Sequence, residues 1–331
     1  NIIFIYAGAF IDSVPKYIRE EIREKYDFVK CITGIWGDHL IGGNEKLIEN
    51  FNDMKLLFTN CIPMAEKLKK NNINALHLGN CFEKNVESCD ENFLKSNLDK
   101  EFDVFFSGMT GYGSYDHQDR YNFLKKLLSD VDLRIFTSEK ILKKSPKDLL
   151  RINLIKFLSL FPQNLIKKVF EANDIEKLKK IINEALLYKK DQSFLKIYDL
   201  KQEPLSKLFS NKCHSMPIEM IEYYKNIKKS KISVNLHRED DFDIGNIRAF
   251  EIPGVKGFLL TDKSKELMTY FTEGEHYIGF KNYDDCKDKI NYFLKNDRER
   301  EDISKEAQIH CLKKHSFENR AEVLIENFKQ L

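Results

Sequence analysis

Ile232-Ser233-Val234-Asn235-Leu236-His237-Arg238, followed after an acidic stretch by Gly245-Asn246-Ile247-Arg248-Ala249-Phe250-Glu251, reads as a β-branched strand, a polar loop and a helix start. In an open parallel sheet, ligands settle outside the carboxyl ends of the strands, where helix N-termini present free N–H groups and a partial positive charge. The residue types suit a diphosphate. His237, Arg238 and Arg248 can neutralise or hydrogen-bond phosphate oxygens, Gly245 lets backbone come close, and Glu251 can accept from both hydroxyls of a ribose. A His and two Arg near a helix start are as readily just solvated, so this stretch alone specifies a place for a diphosphate and nothing narrower.

Outward from it, the same strand-then-helix rhythm organises most of the chain. From Asn1 to about Asp99, short β-rich runs alternate with helical stretches, which is how βαβ units and a parallel sheet read. Strands are expected at Ile2–Tyr6, Phe28–Thr33, Lys55–Thr59 and Ala75–Leu78, with a helix carrying Val14, Ile18 and Ile22 on one face. A second beginning follows at Phe102–Ser107, which runs into a loop holding Gly108, Gly111 and Gly113. Leu124, Leu127, Leu128 and Val131 mark the next helix, and Leu133–Phe136 the next strand. This places a domain boundary near residue 100.

Between about Glu139 and Leu200 the alternation breaks into a Lys- and Leu-rich helical pattern punctuated by Pro146 and Pro162. It reads as a helical insertion. Because Lys143, Lys144, Lys167 and Lys168 flank apolar residues, it also reads as a basic amphipathic surface for peripheral contact with a membrane or a partner. After His214 the rhythm resumes with a helix at Pro217–Lys228, a strand at Ile232–Leu236, a helix at Asn246–Ile252 and a strand at Gly257–Thr261. The end of the chain is helical. The expected class is α/β: two Rossmann-like, doubly wound domains facing a cleft, the first at 1–100 and the second at 101–315 with its helical insertion. The last helix, 316–331, is expected to pack back on the first domain.

Bulk properties remove several functions. With 331 residues and 42% hydrophobic content the chain is globular, and 54 basic against 52 acidic residues leave a formal charge of +2, too little to hold it on nucleic acid. The seven cysteines form no CxxC pair, which argues against a zinc site or a disulfide framework. No apolar run is long enough to span a membrane and no signal pattern opens the chain. A cytoplasmic location is expected, if membrane-associated then peripherally at the inner face. The opening at Asn1, directly on strand-like sequence, and the short first domain lead to the expectation that an upstream part of that domain is absent.

From Lys229 to about Phe328, SKISVNLHRE (Ser230–Glu239), GNIRAFEIPGVKGFLLTD (Gly245–Asp262), TEGEHYIGF (Thr272–Phe280) and HSFENR (His315–Arg320) together resemble the glycosyl-transferases-group-1-like family that includes the CgeB-like proteins. The resemblance covers about the last hundred residues strongly. It extends weakly through Phe102–Gly108 and to Thr33-Gly34-Ile35-Trp36-Gly37-Asp38. It implies a GT-B glycosyltransferase that moves a sugar from a UDP- or GDP-sugar to a hydroxyl of a glycan or glycosylated acceptor, as in cell-surface polysaccharide biosynthesis, without metal or other cofactor. Carried over, Glu251 corresponds to the carboxylate on the nucleotide ribose, Arg248 with the backbone at Gly245–Asn246 to the phosphate contact, and Asn235 and His237 to the lining of the donor site, beside Arg238. Retaining relatives carry E-x7-E; here Asp243 stands eight residues before Glu251, and its shorter side chain departs from that pattern. Kinship with those enzymes is the whole case for retention. Pro253 is a second departure, predicting a short or kinked helix after the phosphate loop.

The remaining candidates each have a plain structural alternative. Asp241-Phe242-Asp243 is a DxD, the pattern that holds a divalent metal on a donor diphosphate in GT-A enzymes, but its setting reads as an acidic loop and no metal is expected. Gly108 and Arg120 approach the donor phosphates in the GT-B reading; otherwise they are a turn and a surface arginine. Asp38 and His39, beside the only tryptophan, are a base for an acceptor hydroxyl or a contact to it, or else a capping or core pair. His77 and His315 read as structural. An epimerase or hydrolase of nucleotide-sugars and a non-catalytic binding module remain open on the same fold.

Overall fold

The computed structural model describes residues 3–8, 16–26, 31–36, 55–88, 90–113, 117–139, 146–162, 164–165, 168, 181–182, 185–186, 202–214, 219–237 and 246–330. Contacts divide the chain into two compact units, residues 1–106 with 218–331, and residues 107–217.

The larger unit holds two parallel sheets. In the first, β1 (Ile3–Gly8), β2 (Cys31–Trp36), β3 (Leu56–Thr59) and β4 (Ala75–His77) lie side by side in chain order. Helix α1 (Lys16–Lys25) joins β1 to β2, and α2 (Ile62–Lys70) joins β3 to β4. Every residue of β3 is buried, as a strand covered on both faces requires. Pro63 at the start of α2 costs nothing, because that N–H has no partner within a helix.

The second sheet of this unit runs β10-β9-β8-β5, again all parallel: β5 (Phe102–Ser107), β8 (Ser230–Asn235), β9 (Leu259–Asp262) and β10 (Ile278–Phe280). Its core contains Val104, Phe105, Ile232, Val234, Leu259 and Leu260, none more than 2% exposed. Three helices surround the sheet's working edge: α6 (Met220–Lys229) before β8, α7 (Arg248–Gly254) after it, and α8 (Leu267–Tyr270) after β9. Helix α7 spans only seven residues and contains Pro253, the short helix that this proline predicts. Strand β10 was not expected from the sequence. Its three residues lie within a stretch whose acidic and glycine residues read as a turn.

Helices α9 (Tyr283–Phe293), α10 (Asp297–Lys314) and α11 (Phe317–Lys329) complete the larger unit. Asn282 caps α9 by accepting from Asp285 N, and Ser316 and Asn319 form a reciprocal capping box on α11. Helix α11 reaches the first sheet: Phe328 meets Phe58 of β3 edge to face at 6.0 Å. Arg320 donates from Nε to the Gly79 carbonyl at 2.8 Å and from its terminal nitrogen to that of Asn80 at 2.9 Å. A Cβ on Gly79 would collide with the Tyr270 hydroxyl, so the turn after β4 admits no side chain there.

The smaller unit carries α3 (Gln118–Asp130), β6 (Leu133–Phe136), α4 (Pro146–Ser159), α5 (Leu205–Leu208) and β7 (Cys213–His214), with β6 parallel to β7. Within the stretch read as a helical insertion, Ile152 and Ile155 of α4 bury against Ala185. Glu139 gathers this unit's loops, accepting from Thr110 Oγ1 at 2.6 Å and from Ser206 N and Oγ at 3.1 and 2.9 Å. Lys143, Lys144 and Lys167 lie outside the described residues. Among those described, no helix is long and apolar enough to cross a membrane.

Candidate functional site

Four polar side chains gather at the carboxyl ends of β8 and β9: Asn235 at the end of the first and His237 two residues past it, with Thr261 and Asp262 at the end of the second. Asn235 is fully buried and its amide is committed. Its Nδ2 donates to Thr261 Oγ1 at 3.2 Å, while its Oδ1 accepts from Asn246 Nδ2 at 3.0 Å and from Arg248 Nε at 3.2 Å. Asn246 Oδ1 in turn accepts from Ala249 N at 3.3 Å, which fixes the entry to α7. The guanidinium of Arg248 lies 5.8 Å from the centre of the Phe106 ring, so a strand end and an aromatic face together set its orientation.

His237 is held from beneath. Its backbone N–H donates to both carboxylate oxygens of Asp262, at 3.0 and 2.9 Å, and its Nδ1 lies 2.6 Å from Asp262 Oδ1. That contact places the Nδ1 proton toward the carboxylate and fixes the tautomer. Asp262 and Thr261 were missed in the sequence, although both stand in the quoted stretch.

One turn beyond Arg248, Glu251 projects from α7 toward α6. Tyr223 and Tyr224 donate their hydroxyls to its two oxygens, at 3.2 Å to Oε2 and 3.3 Å to Oε1. Burial raises the Glu251 carboxyl above the usual range, against the lowering effect of both tyrosine bonds and of Arg248. Burial likewise pushes the Tyr223 and Tyr224 hydroxyls well up, so they stay protonated and donate. A carboxylate has about four acceptor positions, and two neutral donors leave capacity for a ribose diol. The adjacent Tyr-Tyr pair in the helix before β8 is the signal that could have marked these partners.

The sequence candidates separate into three groups. Asn235, His237, Asn246, Arg248 and Glu251 come together at one sheet edge. Gly108 and Arg120 belong to the smaller unit, where Gly108 adopts a φ of 143° and Arg120 donates to the Met109 carbonyl at 3.4 Å. Asp38, His39, Arg238, Asp243 and Gly245 lie outside the described residues. Among the described residues no group of three or more His, Cys, Asp or Glu side chains is placed to hold a metal ion.

His77 and His315 sit in a polar seam beside this edge. His77, at the end of β4, lies 2.9 Å from Glu266 Oε1 and 3.0 Å from the Tyr270 hydroxyl. His315 spans from the Tyr270 carbonyl at 3.2 Å to Arg320 at 3.2 Å.

Residues 188–326 match the family described as glycosyl transferase-like. No curated protein matches the chain. Sucrose-phosphate synthase from Thermosynechococcus elongatus aligns over 99% of this chain and 73% of its own, with 8% identity and a TM-score of 0.57. Anabaena HepE in complex with UDP and glucose aligns over 99% and 78%, with 8% identity and a TM-score of 0.55. A glycosyltransferase from Rickettsia africae aligns over 95% and 80%, with 11% identity and a TM-score of 0.52. Likeness at these identities concerns the fold, and the fold is GT-B.

Proposed function

We propose that this chain, whose residues 188–326 match the glycosyl transferase-like family, is an enzyme that transfers a sugar from a nucleoside-diphosphate sugar to an acceptor hydroxyl. The observation that carries this reading is the pairing of an oriented Arg248 with a tyrosine-held Glu251 on the seven-residue helix α7, at the carboxyl edge of a parallel sheet. A guanidinium meets the charge that develops on the departing diphosphate, and a carboxylate with free acceptor positions fixes the ribose.

In this reading Glu251 accepts from the ribose hydroxyls, and Arg248 with the Asn246 backbone faces the diphosphate. His237 lines the donor sugar, its ring fixed by Asp262. Asn235 serves by holding Arg248 and Asn246, since its own side chain is buried and spent. Asp243, Arg238 and Gly245 complete the loop between β8 and α7, Gly108 and Arg120 add to the phosphate contact, and Asp38 or His39 takes the acceptor proton. No metal takes part, and transfer proceeds with retention. A UDP-sugar is the first donor to try, because HepE is in complex with UDP and glucose; GDP-sugars come next. The acceptor is a glycan or glycosylated molecule of the cell surface, met in the cytoplasm or at the inner face of the membrane.

The test is turnover with a panel of UDP- and GDP-sugars against glycan acceptors, with and without a chelator. Acceptor-dependent release of the nucleoside diphosphate, unchanged by chelator, is expected. Sugar release or epimerisation at full rate without acceptor would replace transfer with hydrolysis or epimerisation.

A further inference from the structure

The strand ends opposite the donor site carry a second concentration of charge. Where β5 and β8 begin, a cavity of about 300 Å³ is lined by Lys100, Lys228, Lys231, Lys256 and Arg300. Against these five cations stand two acidic lining residues, Asp99 and Glu301. Two of the cations are neutralised locally: Lys231 pairs with Asp103 at 2.8 Å and Arg300 with Asp297 at 2.7 Å. The other three have neutral partners among the described residues. Lys100 Nζ donates to the carbonyls of Lys228 and Ser230 at 2.8 and 2.9 Å, and Lys256 Nζ to Asn97 Oδ1 at 3.2 Å. Lys228, only 4% exposed, donates to the Leu94 carbonyl at 3.3 Å and lies 4.9 Å from the centre of the Phe93 ring.

Three ammonium groups with no carboxylate ion pair of their own, eased only by the charges of Glu301 on Lys100 and Glu87 on Lys228, are unfavourable for the empty protein. Burial, then the charge of Arg300, lowers Lys100 to about 8; burial, then Lys256 and Lys100, lowers Lys228 to about 8. Lys256 adds backbone strain. It holds a φ of 64°, in the left-handed region, just past the end of α7. A glycine there would relieve that strain. Capping of the last carbonyls of α6 accounts for Lys100, but not for Lys228 buried behind it or for a lysine at a glycine position.

We propose that this cavity binds a phosphate dianion, free or as a phosphomonoester, at a site separate from the donor site. The volume suits a small phosphorylated molecule. The inference does not depend on the function proposed above, since none of its residues belongs to the β8–α7 edge.

The experiment is thermal denaturation of the full chain in increasing inorganic phosphate against potassium chloride of matched ionic strength, for the wild type, Lys228→Met and Lys256→Gly. The wild type should gain a saturable rise in Tm from phosphate alone. Both variants should lose at least half of it, while Lys256→Gly, relieved of strain and charge, should melt higher than the wild type without phosphate. Vesicles containing phosphatidic acid give the second arm: capture that depends on Lys228 and Lys256 supports the site and identifies a lipid headgroup as the source, and no capture alongside the phosphate response supports a soluble one. A response equal to that of chloride, or a phosphate response unchanged in Lys256→Gly, would overturn the proposal.

Discussion

Asn235 Oδ1 accepts from Arg248 Nε at 3.2 Å, tying the end of β8 to the first turn of α7. The same oxygen accepts from Asn246, and the same amide donates to Thr261, so one buried side chain sets the geometry of the whole edge. Asn235→Ala leaves at least one buried donor without its acceptor, a loss of about 1–3 kcal/mol. We expect a lower Tm and a donor KM raised about tenfold, the equivalent of roughly 1.4 kcal/mol. An unchanged KM in a folded variant would remove Asn235 from the site's support.

Tyr223 and Tyr224 lower the Glu251 carboxyl against the upward push of burial. Removing their hydroxyls in the Tyr223→Phe, Tyr224→Phe double variant therefore raises it further. The acid limb of the pH profile for donor binding should move to higher pH, with the alkaline side unaffected. Calorimetric titration across pH 4–8 measures this, and an unmoved limb would mean that the two hydroxyls do not act on Glu251.

His315 makes the fold acid-sensitive. Burial, then the Arg320 charge, lowers it to about 4, against 6.5 for the free side chain. Its neutral ring can accept at Nδ1 from Arg320 and donate from Nε2 to the Tyr270 carbonyl. Because the folded value lies below the unfolded one, the full stability is present above pH 6.5. It is lost as pH falls toward 4, by on the order of 3 kcal/mol for this group. His315→Gln, which keeps a donor and an acceptor, should flatten the difference in Tm across that window relative to the wild type.

Gly79→Ala should cost more than an ordinary surface change. The added methyl meets the Tyr270 hydroxyl, which also contacts His77, and the carbonyl of Gly79 anchors Arg320. Overpacking of this kind typically costs about 1–3 kcal/mol, read as a fall in denaturation midpoint; Gly79→Ala at wild-type stability would show that the seam yields freely.

Much of the fold was legible because its strands are continuous apolar runs. Phe102–Ser107 and Leu133–Phe136 have the expected ends, and apart from β7 and β10, for which no strand was expected, the other described strands fall within a few residues of expectation. Strand β10 escaped because three residues between glycines and acids carry no usable period. The quoted motifs contained Asn235, Arg248, Glu251 and Asp262, yet only the structure distinguishes their roles. Periodicity locates an asparagine at a strand end, but whether its amide faces a ligand or clamps an arginine depends on what α7 brings against it. Tyr223 and Tyr224 lie in a different element from Glu251, and the pairing of α6 with α7 has no local signal.

If Arg248 and Glu251 hold a nucleoside-diphosphate sugar, its binding stabilises the folded chain. Thermal shifts of the wild type, Glu251→Ala and Arg248→Met are measured with UDP-, GDP-, ADP- and CMP-sugars. A ligand at 100 times its Kd stabilises by about 2.7 kcal/mol. One nucleotide class should stabilise the wild type to that extent and neither folded variant. No response of the wild type to any of the four, or an equal response in Glu251→Ala, would contradict the account.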